Sequence, residues 1–251
     1  MPIGRVRWRR AYSPARADAL SDHRCAGHRT GDPGGLARLV PDGRAVRIDF
    51  ETSDGLTLEG AWSLPEGHAE SVVVLCHPDP TQRGTMNAPL MKSLASALSE
   101  DLIAVLRFNF RGVGRSEGSH GDGTAEVADV DAAVRSAGGR FPDVPLGVAG
   151  WSFGAVVALR WQAETGSTLR YAGIAPPVWF PDHRGRLLPE PEDLAPAERV
   201  FVIGDRDQFA TVDDLREYTD AIGARLEVLE GSDHFFYFRE DRVAGVLAGF
   251  F

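Results

Sequence analysis

The amino-acid sequence predicts an α/β protein: a mostly parallel sheet, entered through an antiparallel hairpin and covered by helices on both faces. Three observations lead there. Continuous apolar runs of strand length recur along the chain, as strands buried on both faces require. Between them lie stretches with apolar residues at helical spacing. Ahead of them stand two alternating segments joined by a polar turn.

The elements follow in order. Residues 1–43 are rich in Arg, Gly, Pro and Asp and lack periodicity, so they read as a loose extension, with the folded domain spanning 44–251. Val46, Ile48 and Phe50 alternate, Thr52-Ser53-Asp54-Gly55 turns the chain, and Leu56, Leu58 and Gly60 alternate on the return. Residues 71–76, 103–108, 146–150 and 200–204 are the buried runs, and 169–175 reads as a further strand. Leu90, Leu94, Ala97 and Leu98 make one apolar helical face, and Val127, Val130 and Val134 make another. Further helices are expected over 154–163, 212–222 and from about 240 to the end, with a short strand at 226–229 before the last.

Composition removes several function classes. The chain of 251 residues is 43% hydrophobic and carries a net charge of −9. Residues 1–44 hold nine Arg against four Asp, a net of +5, leaving 18 basic and 32 acidic residues beyond. An acidic body is a poor polyphosphate binder, so no nucleic-acid partner is expected. No apolar run is long enough to span a bilayer, so no membrane partner is expected either. Arg9-Arg10 is not followed by an apolar stretch, which argues against an export signal. Two cysteines, Cys25 and Cys76, fit a reducing compartment, and the cytoplasm is the expected location. Nothing has zinc-site spacing or the form of a phosphate loop, so neither metal nor organic cofactor is expected. The sequence leaves the oligomeric state open.

Chemistry concentrates in loops after the C-terminal ends of the predicted strands, where parallel sheets carry their sites. Gly150-Trp151-Ser152-Phe153-Gly154 lies between a buried strand and a helix. That is G-x-S-x-G in its required context, a sharp turn that lifts a nucleophilic hydroxyl above the sheet. Val202-Ile203-Gly204-Asp205-Arg206-Asp207 offers two carboxylates, either of which can reach an imidazole. Glu230-Gly231-Ser232-Asp233-His234 follows the last strand and offers that imidazole. Ser, then acid, then His is the chain order of α/β-hydrolases. Acyl transfer also needs two N–H donors for an oxyanion. One is expected from Phe153, after the nucleophile. The other is expected from the loop Cys76–Asn87; among residues 78–80 only Asp79 has an N–H, since its neighbours are proline. The Asp79 carboxylate is then expected to turn away from the oxyanion.

These motifs make the sequence resemble the small bacterial α/β-hydrolases of the dienelactone hydrolase-like group. The likeness rests on Cys76-His77-Pro78 through Gly84-Thr85-Met86-Asn87, on Arg107–Gly118, on the Gly150–Gly154 turn, on Gly204–Asp207 and on Gly231–His234. It covers roughly residues 45–251. It implies an α/β-hydrolase fold and Asp207, rather than Asp205, as the acid beside His234. It also implies that Arg111 ties loops together near the site rather than acting in the chemistry. Two positions depart from the group: Arg83 stands where a glycine is usual, and Asp79 where a second histidine is frequent.

Only about two dozen residues, broken by Pro176, Pro177, Pro181, Pro189, Pro191 and Pro196, separate the strand at 169–175 from that at 200. A helical lid is not expected, so the site should be open. Trp151, Trp179, Phe209 and Phe235, with Phe180 and Phe236, are candidates for an apolar acyl pocket. The function expected is a serine hydrolase that cleaves a small or accessible ester, thioester or lactone through an acyl-enzyme on Ser152, with a small molecule as its partner. The alternatives are a non-catalytic interaction protein on the same fold, or a peptidase or carbon–carbon bond hydrolase with the same three residues.

Overall fold

The computed structural model describes residues 45–179, 185 and 187–251; the expectations for residues 1–43 and for Phe180 lie outside them. Strands β1 (Ala45–Glu51) and β2 (Thr57–Ser63) form the predicted hairpin, with Ile48 opposite Gly60. Six further strands follow: β3 (Ser71–Cys76), β4 (Ile103–Phe108), β5 (Leu146–Trp151), β6 (Arg170–Ile174), β7 (Arg199–Gly204) and β8 (Arg225–Leu229). They make one eight-stranded sheet in the order β1-β2-β4-β3-β5-β6-β7-β8. The β1–β2 and β2–β4 pairs are antiparallel, and every other pair is parallel. This is the predicted architecture, an α/β-hydrolase fold.

Five α-helices cover the sheet: α1 (Pro89–Glu100), α2 (Val127–Arg140), α3 (Phe153–Thr165), α4 (Val212–Ala221) and α5 (Glu240–Ala248). The continuous apolar runs have the expected cause. Val72, Val74 and Cys76 of β3 join the core beneath α2, α3 and α4. Val73 and Leu75, pointing the other way, join the core beneath α1 and α5. Ala95 and Ala133 are fully buried although neither belongs to the stripes read from the sequence. Small side chains are needed where a helix backbone comes closest to the sheet, and a stripe of large residues does not register them. Two 3-10 turns, Pro80–Gln82 and Pro191–Asp193, had no counterpart in the periodicity, being too short to carry any.

Between β6 and β7 the described residues hold the 3-10 turn Pro191–Asp193 and no α-helix. Among the described residues no helix is long and apolar enough to cross a membrane.

The strand order fixes where a site belongs. From β3 the chain runs to β4 on one side, then crosses back to β5 on the other. The loops after β3 and β5 therefore diverge, and the crevice between them is the switch point at which open α/β sheets bind ligands.

Candidate active site

Ser152 sits in that crevice, between β5 and α3, with φ +54° and ψ −118°. Such backbone is strained for a serine and persists only where the surroundings enforce it. Here they do. A Cβ on Gly150 would lie 2.4 Å from the carbonyl carbon and oxygen of Gly154, and a Cβ on Gly154 would lie 2.4 Å from the carbonyl oxygens of Cys76 and His77. The two glycines let the turn fold against itself and against the end of β3. The Ser152 N–H donates to the Ile174 carbonyl at 2.8 Å, which pins the turn to β6.

His234 Nε2 lies 3.0 Å from Ser152 Oγ, and His234 Nδ1 lies 2.9 Å from Asp207 Oδ2. The structure thus brings together three residues separated by up to 82 positions along the chain. The Asp207 side chain has no solvent exposure. Its other oxygen, Oδ1, accepts N–H groups from Phe209 at 2.8 Å and Ala210 at 3.0 Å, so the carboxylate is held from both ends.

Asp205 does different work. Its Oδ1 accepts from the N–H groups of Gly231 at 2.7 Å and Ser232 at 3.3 Å, which ties the strand β7 end to the loop carrying His234. The choice between the two carboxylates, open on the residues alone, is made by where β7 ends.

The two expected oxyanion donors face no competitor: among the described residues, neither the Phe153 nor the Asp79 N–H is taken by a hydrogen bond. Phe153 is the first residue of α3, where an N–H has no partner within the helix. The Asp79 carboxylate is turned onto Thr81, accepting its N–H and its hydroxyl at 2.7 Å each. Arg83 closes that turn with φ +66°, the left-handed conformation that glycine adopts freely, so arginine here takes the glycine geometry at some cost.

His77 holds the same loop from behind, a role not read from the sequence. It is fully buried. Its Nε2 accepts the Phe110 N–H at 3.1 Å, so the ring proton must sit on Nδ1, which donates to the Pro78 carbonyl at 2.6 Å. The Met86 N–H donates to Asn109 Oδ1 at 2.8 Å, and Arg107 Nη1 donates to the Met86 carbonyl at 2.9 Å. The loop after β3 is thereby fastened to the end of β4. Further along, Arg111 ties the hairpin turn to α2, bonding Asp54 at 2.9 Å and the buried Asp129 at 2.7 Å.

Burial lowers the His77 imidazole to about 4, against 6.5 for the free side chain. Between these values the unfolded chain takes up a proton that the folded chain refuses. Stability from this residue is therefore complete above about pH 6.5 and falls as pH drops toward about 4, by roughly 3 kcal/mol in all. Urea unfolding at neutral and mildly acidic pH checks this. The wild type should lose more stability over that interval than His77→Gln, which has no proton to gain. Equal losses would refute it.

The aromatic candidates separate. Phe209 and Phe235 stand beside the imidazole, with ring centroids 4.7 and 5.6 Å from it. Trp151 is buried, and its indole N–H donates to the His234 carbonyl at 3.1 Å; it supports the histidine loop from below rather than lining open space. Phe236 is wholly buried, and Trp179, partly buried, packs against the core on the α2–α3 side. Gln208, unnoticed in the sequence, accepts the His234 N–H at 3.3 Å.

A mostly parallel sheet with helices on both faces, a strained serine at the switch point, and an imidazole and carboxylate in line behind it define an α/β-hydrolase. The chain belongs to the serine aminopeptidase, S33 family, which it matches over residues 67–196. It is similar to an alpha-beta serine hydrolase homologue from Coxiella burnetii, with 27% identity and a TM-score of 0.70 over 81% of this chain and 95% of that one. It is also similar to XC6422 from Xanthomonas campestris, described as an a/b serine hydrolase without lid, with 28% identity and a TM-score of 0.71 over 84% and 95% of the two chains. Uncharacterized protein RP471 of Rickettsia prowazekii is 26% identical over 203 residues, 78% of this chain and 84% of its own length. The family and the two serine hydrolase structures support a hydrolytic function.

Proposed function

We propose that the protein is a serine hydrolase that cleaves a small or accessible ester, thioester or lactone by way of an acyl-enzyme on Ser152. The observation that carries this is the unbroken series from Ser152 Oγ through the imidazole of His234 to the carboxylate of Asp207, at 3.0 and 2.9 Å.

In this reading the Ser152 oxygen attacks the carbonyl carbon while His234 Nε2 takes its proton. Asp207 keeps the other ring proton on Nδ1 and stabilises the imidazolium. The N–H groups of Phe153 and Asp79 receive the charge that develops on the carbonyl oxygen. His234 then gives its proton to the leaving group, and water, deprotonated by the same imidazole, releases the acid. The resemblance to dienelactone hydrolase-like proteins supports a compact ester or lactone as substrate, and the family description makes amides the natural comparison.

A fluorophosphonate probe tests the nucleophile. The adduct is expected on Ser152 and is expected to vanish in Ser152→Ala. A panel of p-nitrophenyl esters set against amino-acid p-nitroanilides tests the bond cleaved, with esters expected to turn over faster. Absence of labelling together with no hydrolysis would favour a non-catalytic role on the same fold.

A further inference from the structure

Globular surfaces scatter their exposed large apolar side chains. Among the described residues those left exposed are Phe209, Tyr237 and Phe238, at 50%, 58% and 87%. They belong to two segments that meet at one side chain, the imidazole of His234. Phe209 stands edge to face on that ring at 4.7 Å, Phe235 does so at 5.6 Å, and Tyr237 stacks on Phe235 at 5.6 Å. Phe236 and Phe238 have φ of +55° and +61°, a conformation that bulky residues rarely take. Phe236 buries its ring while its two successors stay outside. An apolar surface kept open in this way, beside an imidazole, calls for an occupant.

The chemistry says which part of a substrate that is. The imidazole that accepts the serine proton must return it to the leaving oxygen. The leaving group is therefore the portion held against the surroundings of His234, while the carbonyl oxygen points to the N–H groups of Phe153 and Asp79. We infer that the preferred substrates are esters of an aromatic alcohol, whose ring packs among Phe209, Phe235 and Tyr237. This rests on the reading of Ser152 as the acyl-accepting nucleophile. The ester C–O bond breaks, the aromatic alcohol departs with the proton carried by His234, and water supplies the hydroxyl of the released acid. Aromatic rings gain from edge-to-face and offset contacts beyond their area, so an aromatic alcohol is favoured over an aliphatic one of equal size.

Acetate esters of benzyl alcohol, cyclohexylmethanol and ethanol make the test, since they share one acyl group and have leaving groups of similar basicity. The expected kcat/KM for benzyl acetate exceeds that for ethyl acetate about tenfold, with the cyclohexylmethyl ester between. Phe209→Ala and Tyr237→Ala should each lower the benzyl-to-ethyl ratio about threefold. A flat series in the wild type, or a ratio unchanged in both variants, overturns the inference. So does a flat series with a dimer, or with binding to phosphatidylcholine vesicles, that Tyr237→Ser abolishes, because the patch is then an interface. Fluorophosphonate labelling of Ser152 with a flat series defeats the inference alone; absence of labelling defeats the reading beneath it as well.

Discussion

Replacement of Asp207 by Asn is expected to lower turnover about 10⁴-fold, some 5.5 kcal/mol in the barrier, with the fold intact. The reason lies in how the carboxylate is held. Oδ1 accepts two backbone N–H groups, from Phe209 and Ala210, so an asparagine must keep its carbonyl oxygen there. Its NH2 group then faces His234 Nδ1, where it donates. Nδ1 becomes an acceptor, and the ring proton moves to Nε2. An imidazole with its proton on Nε2 cannot take one from Ser152 Oγ. The side chain keeps its size and both backbone bonds, so the urea midpoint should hardly move. Asp205→Asn provides the contrast: it loosens the link to Gly231 and Ser232 but leaves the imidazole tautomer alone, and a loss below about tenfold is expected, well short of the tautomer effect. Steady-state kinetics of the two variants on one p-nitrophenyl ester decide the matter. Comparable losses, or a near-normal Asp207→Asn enzyme, would remove Asp207 from the mechanism.

Gly154→Ala is expected to damage both stability and turnover. The added Cβ would stand 2.4 Å from the carbonyl oxygens of Cys76 and His77, about 1 Å inside ordinary contact. Those are backbone atoms of β3 and of the loop that carries Asp79, and no rotamer change can relieve them. Either α3 or that loop must shift. A cost of about 3 kcal/mol in unfolding free energy follows from such overpacking. What remains folded should turn over about 10²-fold more slowly, because Phe153 and Asp79 would no longer aim at one point. Urea unfolding and kcat measured on the same preparation check both parts. A variant with wild-type stability and rate would mean that the close approach of α3 to the end of β3 is not required.

Much of the fold was legible because its strands are buried on both faces. Ser71–Cys76 and Ile103–Phe108 could be bounded to the residue, since runs so largely apolar have no other home in a chain of this composition. The turn at Ser152 was legible because its steric demand leaves glycines two residues either side. Helix stripes were less complete: Ala95 and Ala133 are fully buried, more so than Val127 and Val134 that announced α2, yet alanine carries little pattern of its own.

The site was legible in its chemical types and in the chain order of Ser152, Asp207 and His234. It was not legible in its supports. His77 stood in a recognisable motif, but only the meeting of the β3 and β4 loops reveals that its two ring nitrogens hold Phe110 and Pro78. Trp151 looked like pocket lining, yet its position at the end of β5 turns it under His234.

The sequence by itself therefore determined the sheet, its helices and the serine and histidine that face the crevice, because apolar periodicity and turn sterics are local properties. Tertiary structure decided that Asp207, which the resemblance alone had singled out from Asp205, meets the imidazole, that the ring proton of His77 sits on Nδ1, and that Phe209 and Phe235 stand beside His234. Each of these depends on distances between loops that the sheet brings together from far apart in the chain, and no local pattern encodes such distances.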